Sequence, residues 1–169
     1  MVAITNVKDA ITTAIQMEKD GYNFYKKAAA QTTSDMGKSV FESIASDELV
    51  HLETFQKLFD ETVGNQEWEH LVQSNKKYAD LNVFPKDLKT MQGVEANPNE
   101  LDALRIAMDS ETEAIDYYTE IQSNTKDKQV KKILDMIIEQ EKRHYFLLEQ
   151  EFSHLSSTGY WYEFDYLGG

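Results

Sequence analysis

Two halves of this chain carry the same three ionisable residues at the same spacing, in positions where a helical bundle keeps its core. Glu18, Glu48 and His51 recur 93 residues later as Glu111, Glu141 and His144. Each half reads Glu and then, 30 residues on, Glu-x-x-His. These residues interrupt apolar stripes at i, i+3/i+4 spacing: Val7, Ile11, Ala14, Glu18, Tyr22 and Tyr25 in one stripe, Phe41, Ile44, Glu48, His51 and Phe55 in the next. The repeat is wider than the charges, because Ala10/Ala103, Ala14/Ala107, Tyr25/Tyr118, Lys38/Lys131, Ile44/Ile137 and Phe59/Phe152 are identical at the same offset. Charges on a buried helix face are costly unless something pairs with them. The chain must therefore bring two similar halves together around a shared charged centre.

The stripes predict helices over about 6–31, 35–62, 98–123 and 126–155, with a connector over 63–97 and an aromatic, acidic tail over 156–169. Asn6 with Asp9 can start the first helix, Thr33 or Ser34 can cap the second, and Asn97-Pro98-Asn99-Glu100 starts the third. Trp68, Leu71, Val72 and Tyr78 suggest a short helix in the connector, ended by Val83-Phe84-Pro85. The expected fold is all-α. Residues 1–155 form an antiparallel four-helix bundle, two duplicated helical hairpins joined by a long crossover and related by approximate two-fold symmetry. The tail could pack on the bundle or on a partner chain.

Composition narrows the function. A formal charge of −13 argues against nucleic acid and anionic membrane as partners. The absence of cysteine removes disulfides, thiolate metal sites, cysteine nucleophiles and any iron–sulfur or rubredoxin-type centre from these residues. The first residues, MVAITNVKDA, lack the pattern of a signal peptide, and no stretch approaches the roughly 20 apolar residues of a membrane span. These features are read as those of a cytoplasmic protein.

The repeated residues suit a two-metal site. At i, i+3 spacing Glu48 and His51 face one way on their helix, as Glu141 and His144 do on theirs, while Glu18 and Glu111 point inward from the other two. Four carboxylates balance two divalent cations, and one imidazole per metal completes an oxygen/nitrogen set. Such a set suits iron or manganese; zinc would bind but would be redox-inert. Tyr25 and Tyr118 lie two turns after Glu18 and Glu111. They are either core tyrosines or catalytic groups that bond bridging carboxylates or conduct electrons. Asp47 and Gln140, each preceding a ligand glutamate, could orient the opposite histidine; for Asp47 the competing reading is a solvated acid. Gly21, three residues after Glu18, suggests a close approach of a helix or ligand, at a helical cost of about 1 kcal/mol. His70 and His154 fall outside the repeat and are read as surface or linker residues, and the methionines as packing.

Through the segments AIQMEKDGYNFY, SIASDELVHLETF, AMDSETEAIDYY and MIIEQEKRHYFLL, the chain resembles the rubrerythrin branch of the ferritin-like superfamily. The connector, with Trp68 and YADLNVFP, looks like that of rubrerythrin-like proteins without a rubredoxin domain. The resemblance implies a di-iron centre held by Glu18, Glu48, His51, Glu111, Glu141 and His144, usually in a homodimer. It also implies reduction of hydrogen peroxide or dioxygen with electrons from a redox partner. Lacking the four cysteines of a rubredoxin module, this chain would need an external donor such as a rubredoxin-like protein. Typical rubrerythrins carry a further glutamate where this chain has Ala114, and the more symmetric set also resembles bacterioferritin ferroxidase centres. Ferroxidase activity with iron storage or handling is the alternative to peroxide reduction.

Overall fold

The computed structural model describes residues 7–62 and 100–162. Four helices account for nearly all of them: α1 Val7–Gln31, α2 Asp35–Thr62, α3 Glu100–Asn124 and α4 Lys128–Thr158. No strand occurs among the described residues. The expected connector helix, the Asn97-Pro98 helix start and the Asn6 cap lie outside the described residues. The third helix begins at Glu100, and the fourth runs three residues past the expected 155, to Thr158.

Local chemistry sets the turns. Between α1 and α2, Ser34 caps the second helix: its Oγ accepts from Gly37 N at 3.3 Å and its carbonyl from Lys38 N at 2.9 Å. Between α3 and α4 the same offset places Asp127, whose Oδ1 accepts from Gln129 N at 2.7 Å and Val130 N at 2.8 Å. The last helix ends at Gly159, whose φ of 78° lies in the left-handed region and whose N–H donates to Leu155 O at 2.8 Å. Turns this short force antiparallel neighbours, so α1 with α2 and α3 with α4 form two closely packed hairpins.

The hairpins meet mainly through side chains, since the backbones of α1 and α3, and of α2 and α4, approach less closely than helices within a hairpin. Small residues govern part of that approach: Ala10, Ala14, Ala103 and Ala107 are all buried, and the Tyr117 hydroxyl crosses from α3 to donate to Ala10 O at 3.1 Å. Phe24, Tyr25, Phe41, Phe55, Tyr117 and Tyr118 fill the rest of the core with Ile44, Leu104, Leu134, Ile137 and Leu148. The rings of Phe41 and Tyr25 pack tilted at 6.3 Å between centroids, and those of Phe55 and Tyr118 at 5.2 Å.

A second anchoring point lies at one end of the bundle. Glu100 Oε1 accepts from the Thr32 hydroxyl and from Thr33 N at 3.2 Å, and its Oε2 accepts from Trp161 Nε1 at 3.0 Å. Burial opposes its ionisation, but these donors hold the carboxyl below the usual glutamate range. The start of α3 is thereby tied to the α1–α2 turn and to the segment after α4. Trp161 packs edge-on against Phe41 at 5.6 Å, so this part of the aromatic tail belongs to the bundle. Nearby, Glu151 is fully buried on α4 and its Oε2 accepts from Tyr162 N at 3.1 Å.

Gly37 is where the indole rests. A Cβ at Gly37 would come within 2.5 Å of Trp161 Cζ2 and 2.9 Å of Nε1, so a side chain there displaces the ring. Gly37→Ala is expected to destabilise the fold by about 1–2 kcal/mol, the overpacking outweighing the gain in helix propensity. In a Trp161→Ala background the same substitution should cost nothing or stabilise. Chemical denaturation of the four proteins of that cycle checks it; equal effects in both backgrounds would refute the contact.

Candidate metal centre

Midway along the bundle each helix turns a glutamate inward, and α2 and α4 each add a histidine. Glu18, Glu48, His51, Glu111 and Glu141 are at most 3% exposed, and His144 is 5% exposed. Two overlapping groups result. Glu18, Glu48, His51 and Glu141 can each place a ligand atom within 4.8 Å of the others, and so can Glu48, Glu111, Glu141 and His144. Glu48 and Glu141 belong to both groups; Glu18 with His51, and Glu111 with His144, belong to one each. Each group draws three residues from one hairpin and one from the other.

The contacts show which atoms face the centre. His51 Nδ1 lies 3.0 Å from Glu141 Oε1 and 3.3 Å from Glu18 Oε2. Neither approach has hydrogen-bond geometry, so His51 Nδ1, Glu18 Oε2, Glu48 Oε1 and Glu141 Oε1 are buried with no hydrogen-bond partner. His144 Nδ1 lies 3.0 Å from Glu141 Oε2, 3.4 Å from Glu48 Oε1 and 3.8 Å from Glu111 Oε1. Glu141 thus turns one oxygen to each histidine. The two rings stand 5.9 Å apart.

Groups behind this ring orient it. His144 Nε2 is 3.0 Å from Asp47 Oδ2, and His51 Nε2 is 2.9 Å from Gln140 Oε1. In the neutral rings both Nε2–H groups donate outward, which leaves each Nδ1 lone pair for the centre. Asp47 and Gln140 therefore each meet the histidine of the opposite hairpin. The tyrosines cross over too: Tyr25 OH donates to Glu111 Oε1, and Tyr118 OH to Glu18 Oε1. Their partners differ from the expected ones. Each phenol crosses between the first and third helices to a glutamate that belongs to one group only, not to the shared pair. Gly21 and Ala114, paired by the 93-residue offset, are both buried one turn after Glu18 and Glu111. His154 meets Tyr162 edge-on at 5.1 Å, away from the cluster, and His70 lies outside the described residues.

Electrostatics follow from this crowding. Burial pushes Glu48 and Glu111 well above the ordinary carboxylate range and Glu18 above it, and the neighbouring Glu141 charge adds to the shift. Burial also acts on Glu141, but the two imidazoles outweigh it and hold its pKa at about 2. Burial disfavours the His51 cation, yet Glu141 and Glu18 raise it to about 12; His144 is raised likewise by Asp47, Glu141 and Glu48. Burial and the adjacent carboxylates push both tyrosines well above their usual value, so they remain donors. The raised values of three glutamates and both imidazoles share one effect, to limit the negative charge gathered in the cluster. The donor set, all carboxylate oxygen and imidazole nitrogen with several unpartnered atoms facing inward, fits a pair of divalent cations.

Known structures share this architecture. A protein from Thermotoga maritima, provisionally described as a ferritin-like diiron-carboxylate protein, superposes with a TM-score of 0.69 at 23% identity, over 90% of this chain and 98% of that one. A hypothetical protein from Pyrococcus furiosus gives 0.66 at 20% identity, over 89% and 90% of the two chains. KatB, a manganese catalase from Anabaena PCC7120, gives 0.63 at 18% identity, over 100% of this chain and 80% of that one. At these identities the likeness shows the fold. No curated protein matches the sequence. The rubrerythrin family profile matches residues 4–152, nearly the whole bundle, and the chain belongs to the rubrerythrin family of ferritin-like proteins.

Proposed function

We propose that the chain is a non-haem dimetal oxidoreductase that reduces hydrogen peroxide or dioxygen, with two iron ions as its resident metals. The observation that carries this reading is the pair of overlapping groups that share Glu48 and Glu141. Glu18 and His51 would complete one ion's ligands, and Glu111 and His144 the other's. Glu48 and Glu141 would bridge. Four carboxylates neutralise two divalent cations, and a ligand set without thiolate suits iron or manganese. Bound there, the metal pair supplies the two electrons that, with two protons, convert one peroxide into two waters.

The chain's own residues supply the rest. Tyr25 and Tyr118 keep their protons and fix Glu111 and Glu18 by one oxygen each, and in Glu18 the second oxygen, Oε2, stays unpartnered for the centre. Asp47 and Gln140 hold the imidazoles in the tautomer that offers Nδ1 inward. The aromatic and aliphatic core excludes bulk water from the site. With no cysteine in the chain, electrons would come from a separate redox protein of rubredoxin type. The working form we propose is a homodimer in the cytoplasm, defending against peroxide.

Iron handling is the second reading, favoured by one feature: Ala114 stands where typical rubrerythrins add a glutamate, which leaves the two halves of the ligand set alike. Elemental analysis separates the readings. Protein made with iron under low oxygen is expected to hold roughly two irons per chain. Glu48→Ala/Glu141→Ala should lose them together with peroxide turnover by the reduced protein. A hollow assembly with far more iron per chain would support storage instead; metal content unchanged in the double variant would refute the centre.

Metal loading should also depend on pH with a defined sign. His51 and His144, and the three glutamates with raised values, hold protons more tightly in the cluster than free side chains do. Each metal must expel them, so affinity is expected to be lowest in acid and still rising between about pH 6 and 9. Calorimetry in buffers of different ionisation enthalpy should show proton release on binding. An affinity flat over that range would contradict the protonated cluster.

A further inference from the structure

The six inward residues and both tyrosines obey the 93-residue repeat; the groups behind the histidines do not. Asp47 stands behind His144, whereas the matching position, Gln140, stands behind His51. The contacts are alike in length, 3.0 and 2.9 Å, and alike in atom, each made to Nε2. The difference is that one acceptor is a carboxylate and the other a neutral amide.

We propose that the two metal positions are unequal, and that Asp47 makes the one at His144 the tighter and first-filled. The proposal rests on the dimetal reading above and deepens it. A carboxylate accepting from Nε2–H draws that proton toward itself and raises electron density at Nδ1, the atom offered to the metal. It also places a further negative charge behind one cation only. An amide oxygen does the first weakly and the second not at all. The Asp47 side chain is 49% exposed, so water screens its charge, but the hydrogen bond to a 6% exposed imidazole is not screened in the same way. Partners behind metal-bound histidines commonly carry about 10- to 100-fold in metal affinity. Since the ligands themselves repeat, nothing in the ligand set opposes that bias.

Zinc titration of the full chain tests this, with nitrogen-15-labelled histidine followed by NMR. The sequence has four histidines, so the two site signals are separable from those of His70 and His154. The first equivalent is expected to shift His144 Nδ1 and the second His51 Nδ1, with dissociation constants about ten-fold or more apart. Asp47→Asn should weaken the His144 step and close the gap. Gln140→Glu should close it from the other side by tightening the His51 step. The proposal is overturned if His51 fills first or with His144 in the wild type, or if neither variant changes the gap. Should Asp47→Asn fail to fold, the wild-type order and Gln140→Glu still decide. If neither site histidine responds at saturating zinc, the dimetal reading itself falls, and this proposal with it.

Discussion

Charge compensation in a water-excluded core is the constraint on which the rest of this structure depends. Taking an ionised carboxylate out of water costs several kcal/mol even after the protein relaxes. This chain removes four from water at one level of the bundle, with two imidazoles. The cost is met in layers. Phenols donate to Glu18 and Glu111, Asp47 and Gln140 brace the imidazoles, and Glu141 spans both of them. Several inward oxygens and His51 Nδ1 remain unpartnered, which is the pattern expected of ligands rather than of a core network.

Much of this was legible because duplication multiplies weak signals. A single Glu-x-x-His says little, but two copies at one offset inside apolar stripes say that four helices meet there. The positions of Asp47 and Gln140 one residue before a glutamate were enough to suggest contact with a histidine, and each does meet the histidine of the other hairpin. The tyrosines were half legible. Periodicity placed Tyr25 and Tyr118 on the buried face, but it could not say which carboxylate each phenol reaches, since that depends on how two hairpins dock.

The clamp at the end of the bundle was not legible. Glu100 read as a helix-start acid and Trp161 as part of a tail, and no period links them across 61 residues. Gly37 falls inside the expected second helix, and no pattern in the sequence singles it out. Only the fold shows that Glu100 ties three segments together and that the glycine makes room for an indole. Contacts of this kind join ends of elements, where sequence patterns carry the least information. Glu151 is a related case, a buried acid at the position where the first half has the buried Leu58, accepting from the backbone after the last helix.

Each group at the centre takes three residues from one hairpin and one from the other, so a lone hairpin holds an incomplete set. Two identical hairpins paired about an axis would complete both sets, but they would have to repeat every residue around them. A single chain carrying both hairpins is released from that obligation. It can keep the ligands matched while an aspartate faces one histidine and a glutamine the other. Covalent linkage of the halves is therefore what permits their individuality: mutation can tune one side of the centre without imposing the same change on its twin.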